Sequence, residues 1–251
     1  MGQDKKYCYP NTDTLINFFQ VKDSDKLQEI ESHITSINIA ELYTLKHIKG
    51  DFNFEHLKAI HKFIFKELYP FAGQVRTVDI SKGELFCLSQ HIDSFAKDIF
   101  KGIQKDNYLM GLDKCTFIEK VSELMGDLNA LHPFREGNGR TQRAFIKLLG
   151  EVAGYNINFS KVNSEQMINA SIKSFHGDNS GFEKMFNSVI TSSRKEEQIQ
   201  AISYLCDKES PVVKSFNYIK GISIKDKLYK AKEKSSVQKV KQIDKSKGLE
   251  K

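Results

Sequence analysis

The chain has 251 residues, 39% of them hydrophobic and 28% charged. These proportions belong to an ordinary globular protein and exclude collagen-like, fully disordered and disulfide-scaffold classes, and no stretch approaches the ~18 uncharged apolar residues of a membrane-spanning helix. The net charge of +6 is local: residues 220–251 hold eleven lysines against Asp226, Glu233, Asp244 and Glu250, which leaves the rest of the chain close to neutral.

The opening segment, MGQDKKYCYPNTDT, has no apolar run that could serve as a secretion signal. Lys6 stands where a myristoylation motif needs Ser or Thr, so a cytoplasmic location is expected. Cys8, Cys87, Cys115 and Cys206 lie far apart with no CxxC pair, and read as reduced thiols rather than a zinc site or a disulfide framework. From Asp51 the run DFNFEHLKAIHKFIFKEL puts Leu57, Ile60, Ile64 and Leu68 on one helical stripe, stopped by Pro70 and Gly73. VRTVDI, the turn Ser81-Lys82-Gly83-Glu84 and LFCLS then read as a β-hairpin or flap. Residues 91–105 read as a helix. Thr116 and Glu119 form a T-x-x-E capping box for the next helix, whose stripe is Ile118, Val121, Leu124 or Met125, and Leu128. Pro133 ends that helix at His132, because the residue before proline is driven out of the helical region. After the loop PFREGNG, a helix is expected from Arg140 to Ala153 with Phe145, Leu148 and Val152 inward and Gly154 as its stop. Two more are expected, from Ser164 to Phe175 and from Gly181 to Ser193. The Lys-rich end, beyond Lys220, has too few apolar residues for a core and reads as disordered or weakly helical.

The chemistry is concentrated in NALHPFREGNGRTQR. Gly137-Asn138-Gly139 permits the torsions that aim successive N–H groups at one point, where a new helix adds its positive end. Arg140 and Arg143, three apart on that helix, can both reach one anion, most simply a di- or triphosphate. Glu136 beside phosphates makes sense as a holder of Mg²⁺, and His132 as a general base. Singly, each part has an ordinary reading: a capping histidine, a Gly-Asn-Gly turn, a solvated arginine face. Histidine, carboxylate, nest and two arginines within twelve residues are read together as a site.

His132-Pro133-Phe134-Arg135-Glu136-Gly137-Asn138-Gly139-Arg140-Thr141-Gln142-Arg143 resembles the HPFx(D/E)GNGRxxR signature of the Fic proteins, which transfer AMP from ATP to protein hydroxyl groups. The preceding HLKAIHKFIFKELYPFAGQVRTVDISKG is similar to the helix, AG-x-x-R turn and flap of that family. The resemblance covers roughly residues 10–195 and implies a mainly α fold, a Fic-type helical bundle with a short β-hairpin flap beside the active site. Residues 1–195 would form the Fic domain with an N-terminal extension, and 196–251 a helical to disordered Lys-rich tail. It further implies that His132 deprotonates the target hydroxyl, Phe134 anchors the loop, and Glu136 binds the Mg²⁺ held by the ATP phosphates. Gly137, Asn138 and Gly139 would form the anion hole, with Asn138 also orienting the α-phosphate. Arg140 would contact the β-phosphate and Arg143 the γ-phosphate. The flap, with Ser81, Lys82, Gly83 and Phe86, would register the target chain by strand addition.

Relatives that phosphorylate carry a lysine in place of the second glycine of the nest, so Gly139 favours AMP transfer. Among this chain's glutamates only Glu136 is followed by Gly or Asn, so the inhibitory (S/T)xxxE(G/N) helix of many Fic proteins is not recognisable here. A separate small antitoxin-like protein bearing that motif is therefore expected to dock on the N-terminal part of the body. The target is a protein hydroxyl, in the family often on a topoisomerase subunit or, for delivered effectors, on a host GTPase; delivery into another cell stays open. The rival reading is a non-catalytic nucleotide-binding Fic module. Nucleic acid is not the expected partner: the basic tail offers only Tyr229 for stacking.

Overall fold

The computed structural model describes residues 4–45 and 48–223. The Lys-rich segment from 224 onward, and with it the expected disordered tail, lies outside the described residues. In chain order the elements are α1 (Ser24–Leu45), α2 (Phe54–Phe65), β1 (Ser81–Lys82), β2 (Glu84–Leu85), α3 (Ile92–Lys105) and α4 (Lys114–Leu131). There follow α5 (Asn138–Ala153), β3 (Tyr155–Ile157), α6 (Ser164–Phe175), α7 (Ser180–Val189), β4 (Ile190–Ser192) and α8 (Lys195–Leu205), and 211–223 is again helical. The fold is mainly α, as expected.

Helix α5 is buried along most of its length, which makes it the axis of the bundle: Ala144, Phe145, Ile146, Leu148, Leu149 and Val152 are all fully buried. Helices α2, α4 and α8 and strand β3 pack around it. Phe145 is met edge-on by Phe52, with ring centres 5.5 Å apart, and by Phe100 at 5.7 Å. The stripe Leu57, Ile60 and Ile64 faces this core from α2, whose start is capped by the Asn53 side chain accepting from the His56 N–H. Leu68 falls past the end of α2 yet is equally buried.

Three sequence expectations are corrected. VRTVDI is not a strand: Arg76 within it is buried, and the hairpin is confined to the two-residue strands around Gly83, pairing Ser81 with Leu85 and Lys82 with Glu84. The start of α4 is capped by Asp113, which accepts from the N–H groups of Cys115 and Thr116 and from the Thr116 hydroxyl, so Thr116 is not the cap. The helix expected up to Ser193 ends at Val189. Ile190–Ser192 pairs antiparallel with Tyr155–Ile157, with Ile157 opposite Ile190, a sheet too short to leave a period in the sequence.

Candidate active site

At the end of α4 the chain has to turn, because Pro133 denies helical backbone to the residue before it. His132 takes up the turn in the left-handed region, φ 41° and ψ 60°, with its N–H still donating to the Leu128 carbonyl. Its side chain is fixed twice. Nδ1 lies 3.1 Å from the Asn129 carbonyl, and the ring stacks on Phe86 with centres 3.7 Å apart and planes 13° off parallel. A carbonyl can only accept, so Nδ1 carries the hydrogen and Nε2 keeps its lone pair. Burial is the largest cause that lowers the His132 pKa to about 4, reinforced by the charges of Arg76 and Lys82 against the Asn129 bond. The imidazole is therefore neutral at neutral pH and fit to accept a proton.

The loop after His132 is pinned into the core by Phe134, 1% exposed, whose ring stacks on His61 at 3.9 Å. His61 is itself held in one tautomer. Its Nδ1 accepts from the Gly73 N–H at 2.8 Å, and its Nε2 donates to the Glu136 carbonyl at 2.9 Å. Gly137 then takes φ 78° as the N-cap of α5 and offers no side-chain cap. The first N–H groups of α5 have no intrahelical acceptor and point out of the helix end, an anion site by construction. Gly137 itself donates to Glu136 Oε1 at 2.8 Å. The Asn138 side chain is turned inward, its Oδ1 accepting from the Phe134 N–H and its Nδ2 donating to the Phe134 carbonyl, so the amide closes the loop on itself. Gln142 Nε2 donates to the Leu128 carbonyl and ties α5 to the end of α4.

The two arginines have different neighbours. Arg140 donates to Thr35 Oγ1 at 3.1 Å and pairs with Glu31, both on α1, and its guanidinium lies 5.0 Å over the Phe65 ring. Glu136 Oε1 is 3.5 Å from it. Glu31 also accepts from the Tyr69 hydroxyl, whose pKa is raised by burial and by that carboxylate. Arg143 is in none of the ion pairs among the described residues; it opens on a cleft of about 330 Å³ with Asn163, Met167 and Ile168. That cleft adjoins a second, of about 400 Å³, where His132, Glu136, Gly137, Asn138 and Gly139 face the flap residues Lys82, Glu84 and Phe86 across from Met167, Ile168, Ile172 and Phe175 of α6. Of the expected flap residues, Ser81, Lys82 and Gly83 are exposed, while Phe86 turns in to His132.

The structure thus brings His132, Glu136 and the nest to one cleft and Arg143 to its neighbour, with Arg140 drawn toward α1. Sequence reasoning does not assign Arg76, Glu31, His61 or the apolar face of α6 to the site. Ile168 and Ile172, 48% and 55% exposed, line the cleft with Met167 and Phe175.

A family model described as Fic/DOC matches residues 51–149. The chain is 40% identical over 178 residues to protein adenylyltransferase VbhT of Bartonella schoenbuchensis, an alignment covering 70% of this chain and only 37% of that protein. It is 35% identical to the probable protein adenylyltransferase y4lH of Sinorhizobium fredii, over 68% of this chain and 88% of the relative. Among solved structures, BepC of Bartonella tribocorum with bound AMPPNP superposes with a TM-score of 0.73 at 26% identity, over 77% of this chain and all of that one. A Fic domain from Bartonella quintana with bound ADP gives 0.73 at 29%, over 78% of this chain and 99% of that one. With the signature intact at residues 132–143 and the helix–loop–helix geometry in place around it, the chain belongs to the Fic/DOC family.

Proposed function

We propose that the chain is a protein adenylyltransferase. A target hydroxyl attacks the α-phosphorus of ATP, the bond to the β-phosphate oxygen breaks, His132 Nε2 takes the hydroxyl proton, and pyrophosphate leaves. The observation that carries this is the neutral His132, with its Nε2 lone pair, on the same cleft as the uncapped N-terminus of α5. An oxyanion at that helix end is met by N–H groups already in place, which is how transfer at phosphorus is accelerated. The nucleotide-bound state of the two Bartonella structures supports the same use of this cleft.

In this reading the α-phosphate lies on the backbone N–H groups of the nest. Asn138 serves it through its main chain, since its side chain is committed to Phe134. Arg143 takes the γ-phosphate, and Arg140 reaches the β-phosphate by exchanging Glu31 for it. The base of ATP lies on the apolar face of α6. Among the described residues no group of His, Cys, Asp and Glu could hold a metal alone. Glu136, 41% exposed at the rim of the nest, is the single carboxylate that Mg²⁺ needs when phosphate oxygens supply the other ligands. The metal would neutralise phosphate charge there.

The target strand adds to the exposed hairpin at Ser81–Leu85. A topoisomerase subunit or a GTPase is the proposed class of target. A small inhibitor carrying (S/T)xxxE(G/N) is proposed to supply the carboxylate that Arg143 does not find within the described residues. Exposed Phe18 and Phe19, 58% and 47% accessible in the N-terminal segment, support its docking there. No helix among the described residues is long and apolar enough to cross a membrane. The test is transfer of label from α-³²P-ATP with Mg²⁺ to proteins of a bacterial lysate, beside calorimetric titration with Mg-ATP. His132→Ala should lose ~10²–10⁴ in transfer rate while keeping nucleotide affinity. Wild-type protein that binds Mg-ATP and labels nothing would instead be a nucleotide-binding module.

A further inference from the structure

The turn leading into the flap buries an entire guanidinium. Arg76 is 2% exposed, and it takes part in none of the ion pairs among the described residues. Its charge is met by carbonyls. Nε donates to His132 O at 2.8 Å, Nη1 to Val78 O at 2.7 Å, and Nη2 to Cys87 O. Its own N–H donates to Pro133 O at 2.9 Å. Val78 and Cys87 stand on the two sides of the hairpin, and His132 is the base, so one planar group joins three segments. The Cys87 N–H closes the loop by donating to Ala130 O, in the last turn of α4, at 3.0 Å. Phe86, its neighbour, lies flat on the His132 ring.

A buried cation is costly to desolvate, and an apolar side chain of similar volume would serve packing better. A fork of donors in fixed directions does what packing cannot: it sets the distance between two carbonyl-bearing segments. We propose that Arg76 is a positioning residue that locks the hairpin and His132 into one rigid unit, so that a target strand laid along the hairpin presents its hydroxyl at a fixed distance from Nε2. This rests on the adenylyl-transfer reading for its purpose, but not for its physical content. Held in the left-handed region, His132 also needs such an outside constraint.

Arg76→Lys keeps the charge and loses the fork. With the variant folded by circular dichroism, Mg-ATP affinity should stay within about threefold of wild type, because Arg76 touches no part of the nest. The His132 Hε1 resonance, shifted in wild type by the stacked Phe86 ring, should move toward its position in Phe86→Ala, and label transfer should fall roughly 10²-fold, as for a misplaced reacting group. A folded Arg76→Lys protein with the His132 resonance unmoved overturns the proposal, whatever its activity. Should Arg76→Lys not fold, hydrogen exchange in wild type decides. The amides of Arg76, Cys87 and His132, corrected for intrinsic rates, should open together, within tenfold of one another; a Cys87 amide exchanging more than tenfold faster than the other two overturns the rigid unit. A wild-type protein that transfers no label would sink the enzymatic reading while leaving the resonance and exchange results to stand on their own.

Discussion

Gly137 and Gly139 sit two residues apart in one motif, and the structure gives them opposite reasons for being glycine. At Gly137, φ is +78°, and an added Cβ would lie 2.1 Å from Cζ of Phe65 and 2.3 Å from its Cε2. Phe65 cannot swing aside: His61 stacks on it at 4.7 Å, Tyr69 lies 6.2 Å away in a near-parallel plane, and Arg140 covers it. Left-handed backbone costs a non-glycine residue ~1–2 kcal/mol. Overpacking a filled core adds ~1–3 kcal/mol, so Gly137→Ala should destabilise by roughly 2–5 kcal/mol. At Gly139 the backbone is helical and a Cβ meets only Arg143 Nη1, at 3.3 Å, the free end of a flexible side chain. Alanine is favoured over glycine in a helix by ~0.5–1 kcal/mol, so Gly139→Ala should be neutral or slightly stabilising. It should still weaken Mg-ATP binding by roughly tenfold, since the methyl group displaces Arg143 and narrows the nest where phosphate approaches. Urea denaturation and calorimetric titration measure the two effects separately. Equal destabilisation by the two substitutions, or a Gly137→Ala protein as stable as wild type, would falsify this division of roles.

Acid should loosen the fold before the carboxylates titrate. Burial lowers the pKa of both His56 and His61 to about 4, so the unfolded chain takes up their protons first as pH falls below ~6.5; stability is intact above that pH and declines toward pH 4 by up to ~3 kcal/mol per histidine. Urea midpoints that do not change between pH 7 and 4.5 would contradict it. Glu31→Gln should lower stability by ~1–3 kcal/mol, through the loss of a largely buried charged bond to Arg140, yet tighten Mg-ATP binding because a carboxylate no longer competes with phosphate; weaker binding would mean that Glu31 preorganises Arg140 instead. Deleting 224–251 should leave the unfolding midpoint and Mg-ATP affinity unchanged. Deleting from 196 onward removes α8, whose Ala201, Ile202 and Leu205 are buried and whose Gln198 bonds the Val152 carbonyl at the end of α5, and should cost roughly 5 kcal/mol or more. Equal stability of the two truncations would place the catalytic unit within 1–195.

Hydrophobic period made α2, α4 and α5 legible, because each buries a stripe of aliphatic and aromatic side chains against the same core. The site loop was legible for a different reason: Pro133 and Gly137 dictate backbone, and the glycines and arginines from Gly137 to Arg143 together suit an anion. Of the two short sheets, the flap hairpin was legible from its turn at Gly83 but not in its extent, and the β3–β4 pair was not legible at all. Two- and three-residue strands hold too few side chains to alternate, and β3 finds β4 across more than thirty intervening residues that include α6 and α7. At α4 the sequence points to Thr116 as the cap, whereas Asp113, three residues earlier, caps the helix by accepting two N–H groups and the threonine hydroxyl together.

Helix α1 differs in that the middle of its inward face is polar. Its buried residues are Leu27, Glu31, Thr35, Asn38 and Leu42, spaced by four, four, three and four. The helical period is complete, but three of the five side chains are not hydrophobic, while the half-buried Ile30, Ile34, Ile39 and Tyr43 spread apolar character over other positions of the helix, so the most buried line is not the most apolar one. Their partners explain why. Glu31 and Thr35 hold Arg140, and Asn38 donates to the Ile64 carbonyl and to Glu67 at the end of α2. A helix that supports a charged site must present polar groups inward, and in doing so it blurs the contrast between its faces. Helix geometry alone puts Arg140 and Arg143 on one face and within reach of one anion. The polar stripe of α1 divides them, engaging Arg140 with a carboxylate while Arg143 remains open on its cleft. The division follows from which residues face inward on a neighbouring helix, and residue spacing within α5 carries no trace of it.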